Sequence, residues 1–422
     1  MLKPESALPR GEVDIVVVGA GAAGIAAARR LADAGADFLV LEARSRIGGR
    51  SWTVEREGFP LDLGCGWLHS ADRNPWSAIV EKAGFTIDRT PAPWTAGHDL
   101  SFSEAERRDF RAAFTAFYAR LDRAAEEGED QPASVCLAAG GRWNGLLDAI
   151  STYSNGAELD RVSIRDAAQY SDDDVNWRVV EGYGTAIAAH GAGLPVALDC
   201  AVTRIDHAGA SVRIESSRGT VVAKAVIVTL PTNLIAEEAV RFVPALPGKI
   251  EAAAGLPLGL ADKVLLALDH PETVPAETRL FGRTDRTGTG AYHFRPFGRP
   301  LIEGFFGGEL ARTLEREGEA AFAEFAIEEI AGHFGANVRA RLRPVAVSGW
   351  ARDPHAQGSY AYAVPGKAGA RSVLAQPVNE RLFFAGEACS AESFSTAHGA
   401  YETGVKAAER ALAALGRQRI AG

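Results

Sequence analysis

Lysine is scarce in this chain, with seven residues against 38 arginines, and cysteine is scarcer still, with four in 422 residues. Cys65, Cys136, Cys200 and Cys389 are scattered and form no Cys-x-x-Cys pair. A reducing, cytoplasmic setting fits them better than a disulfide framework or a zinc site. No basic block stands out against a net charge of −9, so nucleic acid is not an expected partner. No apolar run approaches a membrane span. The opening MLKPESALPRGE lacks the apolar centre of a signal peptide, and the ending ALGRQRIAG is polar. Internal repeats and low-complexity linkers are absent too. The 47% hydrophobic and 23% charged residues are those of an ordinary globular protein, and the length is too great for one core, so two domains are expected.

What is present begins with VDIVVVGAGAAGIAAARRLADAGADFLVLEARSRIGGR, residues 13–50. Val13 to Val18 reads as a strand buried on both faces, followed by a helix to about Ala34 and a second strand from Phe38 to Leu41. Between strand and helix stand Gly19, Gly21 and Gly24 in GxGxxG spacing. The first glycine permits the tight turn, the second lets backbone approach a pyrophosphate, and the third lets helix and strand pack closely. Glu42 follows 18 residues after Gly24, where an acid can hold ribose hydroxyls. The loop thus predicts a dinucleotide, with its phosphates at the helix N-terminus. Farther on, residues 76–181 read as largely helical, and Pro195 to Leu230 as strands. Lys263 to Leu268, Ala291 to Phe294, Leu301 to Phe306 and Val345 to Trp350 also read as strands. EGEAAFAEFAIEEIAGHF reads as one long helix, and a last helix begins near Thr396.

Further stretches narrow the dinucleotide. LEARSRIGGRSWT offers Arg44, Gly48, Gly49 and Arg50, bare backbone N–H groups beside forked cations suited to a second phosphate contact. LDLGCGWLHS follows. RLFFAGEACSAESFSTAHGAYETGVKAAERAL places Gly386 and Glu387 after an apolar strand. With GLADKVLLALD and the W…DP…GSY stretch, these motifs resemble the flavin-containing amine oxidase family from end to end. That family includes monoamine oxidases, polyamine oxidases and histone lysine demethylases. The resemblance implies an α/β, two-domain flavoprotein with a Rossmann-like FAD-binding domain and a mixed-sheet substrate domain carrying helices. The expected boundaries are residues 1–75, 182–255 and 353–422 for the first, and 76–181 and 256–352 for the second. It also implies FAD contacts at Gly19, Gly21, Gly24, Glu42, Arg44, Gly49, Arg50, Gly66, Trp67, Val202 (backbone to adenine), Glu387, Thr396 and Ala397. The plainer reading of Glu387 is a helix-capping acid.

Lys263 stands in an apolar strand, where an ammonium must find a polar partner or lose its charge. The resemblance makes it the active-site lysine, holding a water at the flavin; the plainer reading is a lysine snorkelling from a strand end. In VSGWARDPHAQGSYAYAVPG the family implies an active-site role for Trp350 and an aromatic wall at Tyr360. Tyr360 and Tyr362 share a face if the segment is extended, and Tyr362 is expected in the core. Where monoamine oxidases have a second aromatic wall this chain has Thr396, leaving a more polar side. Where they carry a flavin-linking cysteine it has Ser359, so the FAD is expected to be non-covalent. His69, in WLHSADRNP, matches a histidine at the active-site mouth of polyamine oxidases; the alternative is a cap on the helix from Pro75. Asp172, Asp173 and Asp174 read as a solvated loop.

The resulting expectation is an FAD-dependent amine oxidase. An amine becomes an imine, which is hydrolysed to an aldehyde or ketone, while O2 becomes H2O2. A polyamine or diamine is the favoured substrate, with a monoamine or an L-amino acid as alternatives, and a desaturase of a non-amine as the rival from another class. Expected partners are a small amine and O2, with room for a homodimer and with no metal, nucleic acid or membrane.

Overall fold

A computed structural model describes residue 8, residues 11–96 and residues 98–416. The polar chain ends noted above lie mostly outside them. The architecture is mixed α/β. An eight-stranded sheet carries the glycine motif at its centre. In spatial order it runs Arg241–Val243, Val202–Asp206, Val212–Ser216, Gly219–Val228, Glu12–Val18, Phe38–Leu41 and Val196–Ala197, with Leu382–Phe384 also pairing onto Gly219–Val228. Its central strands are parallel: Glu12–Val18 pairs in parallel with both Phe38–Leu41 and Gly219–Val228, and the latter with Leu382–Phe384. Their inner stretches, residues 15–18, Phe38–Leu41, residues 225–228 and Leu382–Phe384, are apolar and buried, as strands covered on both faces require. Helices Ala22–Asp33 and Ala397–Ala414 pack together on one side around Ile15, Val17, Ile25, Leu31 and Ala408.

A second sheet of six strands runs Leu342–Val347, Ala261–Leu268, Leu301–Gly307, Ala291–Phe294, Thr278–Phe281 and His98–Asp99. One face packs on helices Gly308–Glu317 and Glu319–Phe334 through Leu266, Ile302, Phe306, Leu314 and Phe322. The other meets the hairpin Thr53–Arg56/Phe59–Asp62 through Leu61, Leu63, Leu265 and Leu301. A helical layer formed by Glu104–Glu126, Asn144–Ser154 and Ile164–Gln169 adds its own core around Phe110, Phe117, Trp143 and Leu146.

Several element boundaries depart from the sequence reading. The expected single helix up to Phe334 starts only at Glu319, because Gly318 takes φ +102 and ends a separate helix, Gly308–Glu317. The strand expected over Val345 to Trp350 is Leu342–Val347. Ser348 and Trp350 turn out of it to bond the Asp262 carboxylate, Ser348 through its hydroxyl and Trp350 through its backbone N–H. The strand in VALDC is only Val196–Ala197, since Asp199 adopts a left-handed φ of 52° and redirects the chain.

Candidate active site

The glycine turn is built for close backbone approach. Gly19 has φ +100, a conformation that favours glycine, and a Cβ on Gly24 would lie 1.9 Å from the Gly19 carbonyl oxygen. Gly21 forms a bridge to Gly48, and a Cβ on Gly49 would come 3.1 Å from the Gly21 Cα. Helix Ala22–Asp33 begins without a side-chain cap and without an acid in its first turn. Its terminal N–H groups and dipole are therefore left for an anion. Glu42 is buried at the end of the second strand and accepts from Ala20 N at 2.7 Å and Arg44 N at 2.9 Å. It thus fixes the glycine turn to the strand beside it. Val202 opens its strand two residues past Cys200, whose N–H bonds the Glu42 carbonyl. A small recess lies at the carboxyl ends of Gly219–Val228 and Leu382–Phe384, bordered by Arg50, Thr229, Gly386 and Glu387. Ligands of open α/β sheets bind at such strand ends. The residues present fit a dinucleotide.

Five stretches that are distant in sequence meet beyond this cradle. Arg50 Nη1 pairs with Glu387 Oε1 at 2.9 Å and donates to the Ser359 carbonyl at 2.5 Å. The buried Glu387 carboxylate also accepts from Ala361 N and Ser395 N. It clamps the loops ahead of the last helix rather than serving as the cap of that helix. The cap is Thr396, whose hydroxyl accepts from Gly399 N at 3.0 Å and donates to the Ser393 carbonyl at 2.6 Å. Next to it, the Ala397 carbonyl accepts from Trp76 Nε1. The Ser359 hydroxyl accepts from Ala261 N and donates to its carbonyl, tying the GSY stretch to the lysine strand. Trp350 is buried, with Nε1 on the Leu63 carbonyl at 3.0 Å and its ring edge-on to Trp52.

Lys263 is 8% exposed and has found partners. Its Nζ donates to the Asp62 carbonyl at 2.9 Å and lies 2.7 Å from Glu303 Oε1. A Cβ on Gly66 would sit 3.2 Å from that ammonium. The lysine therefore does not snorkel to water; it ends among other site residues. The Asp62 carboxyl is raised by burial and drawn back down by Lys263. Tyr360 is half-buried and donates its hydroxyl to the Tyr153 carbonyl, and burial raises its phenol. Tyr362 is 2% exposed and belongs to the helical-layer core with Phe102 and Phe281.

Trp67, His69 and the acidic triplet border the same region. The Trp67 ring stands edge-on to exposed Trp94, with centroids 4.6 Å apart, and is stacked at 6.3 Å on His293. His69 does not cap the helix from Pro75. That cap is Asn74, whose side chain accepts from Trp76 N, whereas His69 Nδ1 bonds Asn176 Oδ1 at 2.6 Å and lies 3.8 Å from Asp172. Nor is the triplet purely solvated: Asp172 accepts from the Ser70 hydroxyl and Asp173 pairs with Arg73. One predicted phosphate ligand is engaged elsewhere, since Arg44 pairs with Asp353 at 2.7 Å.

The sequence reading missed Glu303, Asp62 and a buried network behind Trp67. In that network Arg178 contacts Asp88 at 2.6 Å and Glu277 at 2.8 Å, and His293 bonds Glu277 at 2.6 Å. Against the burial that would raise it, hydrogen bonds from His293 and Arg178 hold the Glu277 carboxyl at about 2. The available signal was a charged residue inside an apolar strand: LIEGFFG around Glu303 carries the same anomaly as Lys263.

A model of flavin containing amine oxidoreductases matches residues 22–168 and 97–412. Polyamine oxidase 2 of Arabidopsis thaliana is 29% identical over 94% of this chain and 87% of its own length. Polyamine oxidase 4 of Oryza sativa subsp. japonica is 27% identical over 94% and 88%. A lysine-specific histone demethylase 1 homologue of Arabidopsis thaliana is 26% identical over 95% of this chain but 58% of its own length. Among solved structures, a double mutant of putrescine oxidase superposes with a TM-score of 0.77 at 18% identity, covering 95% of this chain and 99% of that one.

Proposed function

The chain belongs to the flavin-containing amine oxidoreductase family, and from that premise we propose that it oxidises polyamines or diamines with non-covalent FAD. The observation that carries the substrate class is the likeness to polyamine oxidases over nearly the whole of both chains. Bound FAD would supply the redox chemistry, two-electron oxidation of the amine to an imine with return of the electrons to O2 as H2O2, and water would hydrolyse the imine. The protein supplies the rest. Gly19, Gly21, Gly24 and Gly49 admit the pyrophosphate to bare backbone and a helix N-terminus. Glu42 and Val202 hold the adenosine end, and Arg50 with Glu387 braces the loops around the ring system. Tyr360 supplies an aromatic wall against which an amine, cationic on arrival, can rest. Trp350 steadies the lysine strand by giving its N–H to Asp262, and Lys263 holds a water at the flavin by hydrogen bonding. Thr396, committed to capping, leaves no aromatic opposite Tyr360. His69 and the carboxylates near it give the mouth a polar rim suited to a polycation.

The division into an FAD-binding part (1–75, 182–255, 353–422) and a substrate part (76–181, 256–352) is part of this proposal. It is supported by sheet membership: every strand of the eight-stranded sheet falls in the first set and every strand of the six-stranded sheet in the second. The four free cysteines support a reducing compartment. No helix among the described residues is long and apolar enough to cross a membrane. The test is peroxide release from purified protein offered putrescine, spermidine, spermine, benzylamine and L-amino acids in parallel. Turnover of the first three above the others supports the reading. Preference for an amino acid or a simple monoamine overturns the substrate class, and flavin that stays with acid-precipitated protein overturns non-covalent binding.

A further inference from the structure

Lys263 and Glu303 stand on two adjacent, otherwise apolar strands, and the remaining charged residue there, Asp262, is taken up by the Ser348 hydroxyl and the Trp350 N–H. In the antiparallel register Lys263 faces Phe305 and Leu265 faces Glu303. Lys263 and Glu303 are therefore diagonal neighbours on one face of the sheet, within reach of long side chains. The face is the one covered by the Thr53–Asp62 hairpin through Leu61, Leu63 and Leu265. Both side chains are mostly withdrawn from water, at 11% and 15% exposed, and the ion pair closes at 2.7 Å. The Asp62 carbonyl takes a second ammonium proton, and the Phe305 ring centroid lies 5.3 Å from Nζ. The Asp62 carboxyl is a second acidic group near the lysine. It is already engaged by the Thr53 hydroxyl and by the N–H groups of Tyr183 and Gly184. Arg299 lies near Glu303 and Asp62 and spends its guanidinium on the carbonyls of Pro60 and Val180. The Cys65 thiol, pushed up to about 12 by burial, brings no charge.

We propose that Glu303 is the positioning residue of the site lysine: its carboxylate holds the Lys263 ammonium against the bare Cα of Gly66. With the Asp62 carbonyl it fixes two of the ammonium's three protons and so the direction of the third, where the proposed reaction needs it. The inference rests on the amine-oxidase reading for the step it serves, but not for the pairing itself.

The experiment uses the full-length, flavin-loaded protein. A double-mutant cycle read by thermal unfolding tests the pair: Lys263→Met with Glu303→Leu should melt above either single variant if the two are coupled, and additive losses refute the pairing. Flavin reduced with dithionite and mixed rapidly with O2 tests the positioning: Glu303→Gln should reoxidise about tenfold more slowly than the parent, the scale of a misplaced group, and Glu303→Asp should recover part of the rate. A Glu303→Gln variant that reoxidises as fast as its parent overturns the positioning role even if it melts earlier, because a purely structural glutamate would change melting alone. Absence of peroxide with every amine would sink the functional reading and leave the melting cycle to judge the pair.

Discussion

Two tyrosines two residues apart occupy the same stretch but do different work. Both reach the helical layer, as a period of two requires of an extended segment: Tyr360 through its hydroxyl on Tyr153, Tyr362 through its ring among Phe102 and Phe281. Between them Ala361 bridges to Leu258, accepts from Arg371 and gives its N–H to Glu387. The segment is therefore held rigidly, and the tyrosines differ in burial rather than in direction. Tyr362→Ala removes a 2%-exposed ring from a core and should cost about 3–5 kcal/mol of stability, as core aromatic truncations do. Tyr360→Ala, at a half-buried position, should melt closer to the parent and lose amine turnover instead. Thermal unfolding and peroxide release on both variants check this. Equal melting losses with equal turnover would mean that neither ring is a wall.

At the level of elements, the nucleotide-binding unit was legible before any coordinates. Its strand, turn, helix and second strand are local, and apolar period, glycine spacing and length are all written within 30 residues. The rest was less so, for physical reasons. Gly318 reads as the second residue of the long helix ending at Phe334 until its φ of +102 is known. Trp350 leaves its strand because Asp262, nearly ninety positions earlier, accepts its N–H. Glu303 is forty residues from Lys263, and nothing short of the strand register shows that they meet. The crossing of the first and last helices illustrates the same dependence. A Cβ on Gly404 would lie 2.1 Å from the Ala23 carbonyl oxygen, whereas one on Gly332 would meet nothing within 4 Å. Both glycines are helical, so alanine should help each by up to about 1 kcal/mol through propensity alone. Gly332→Ala should accordingly raise the melting temperature. Gly404→Ala should lower it, and should weaken flavin retention because Ala23 lies in the first turn of the helix proposed to receive the phosphates. Differential scanning fluorimetry and the ratio of flavin to protein absorbance decide, and a Gly404→Ala variant as stable as its parent would refute the close crossing.

For the whole molecule, stability against pH is set by buried groups with opposite signs. Burial lowers His398, at the start of the last helix, to about 4, below its ordinary 6.5. Between those values the unfolded chain binds the proton and the folded one does not, so its contribution is present above pH 6.5 and is lost as pH falls toward 4. Asp262 is pushed the other way, up to about 7, by burial and by the nearby Glu315 carboxyl. From pH 3.8 to 7 the folded chain holds that proton and the unfolded one does not, so stability falls as pH rises through the window. Each unit of difference is worth about 1.36 kcal/mol, and over pH 4–6.5 the two slopes oppose. Glu277, held at about 2, adds a loss confined to pH below 4.5. The parent should therefore melt at a nearly constant temperature from pH 6.5 to 4.5 and weaken steeply below. His398→Gln removes one slope and should make the protein more stable as pH drops from 6.5 to 4.5. Asp262→Asn removes the other and should make it less stable over the same range. Melting curves of the three proteins in buffers of matched ionic strength test the assignment. Parallel curves for both variants would show that neither group titrates as its burial requires.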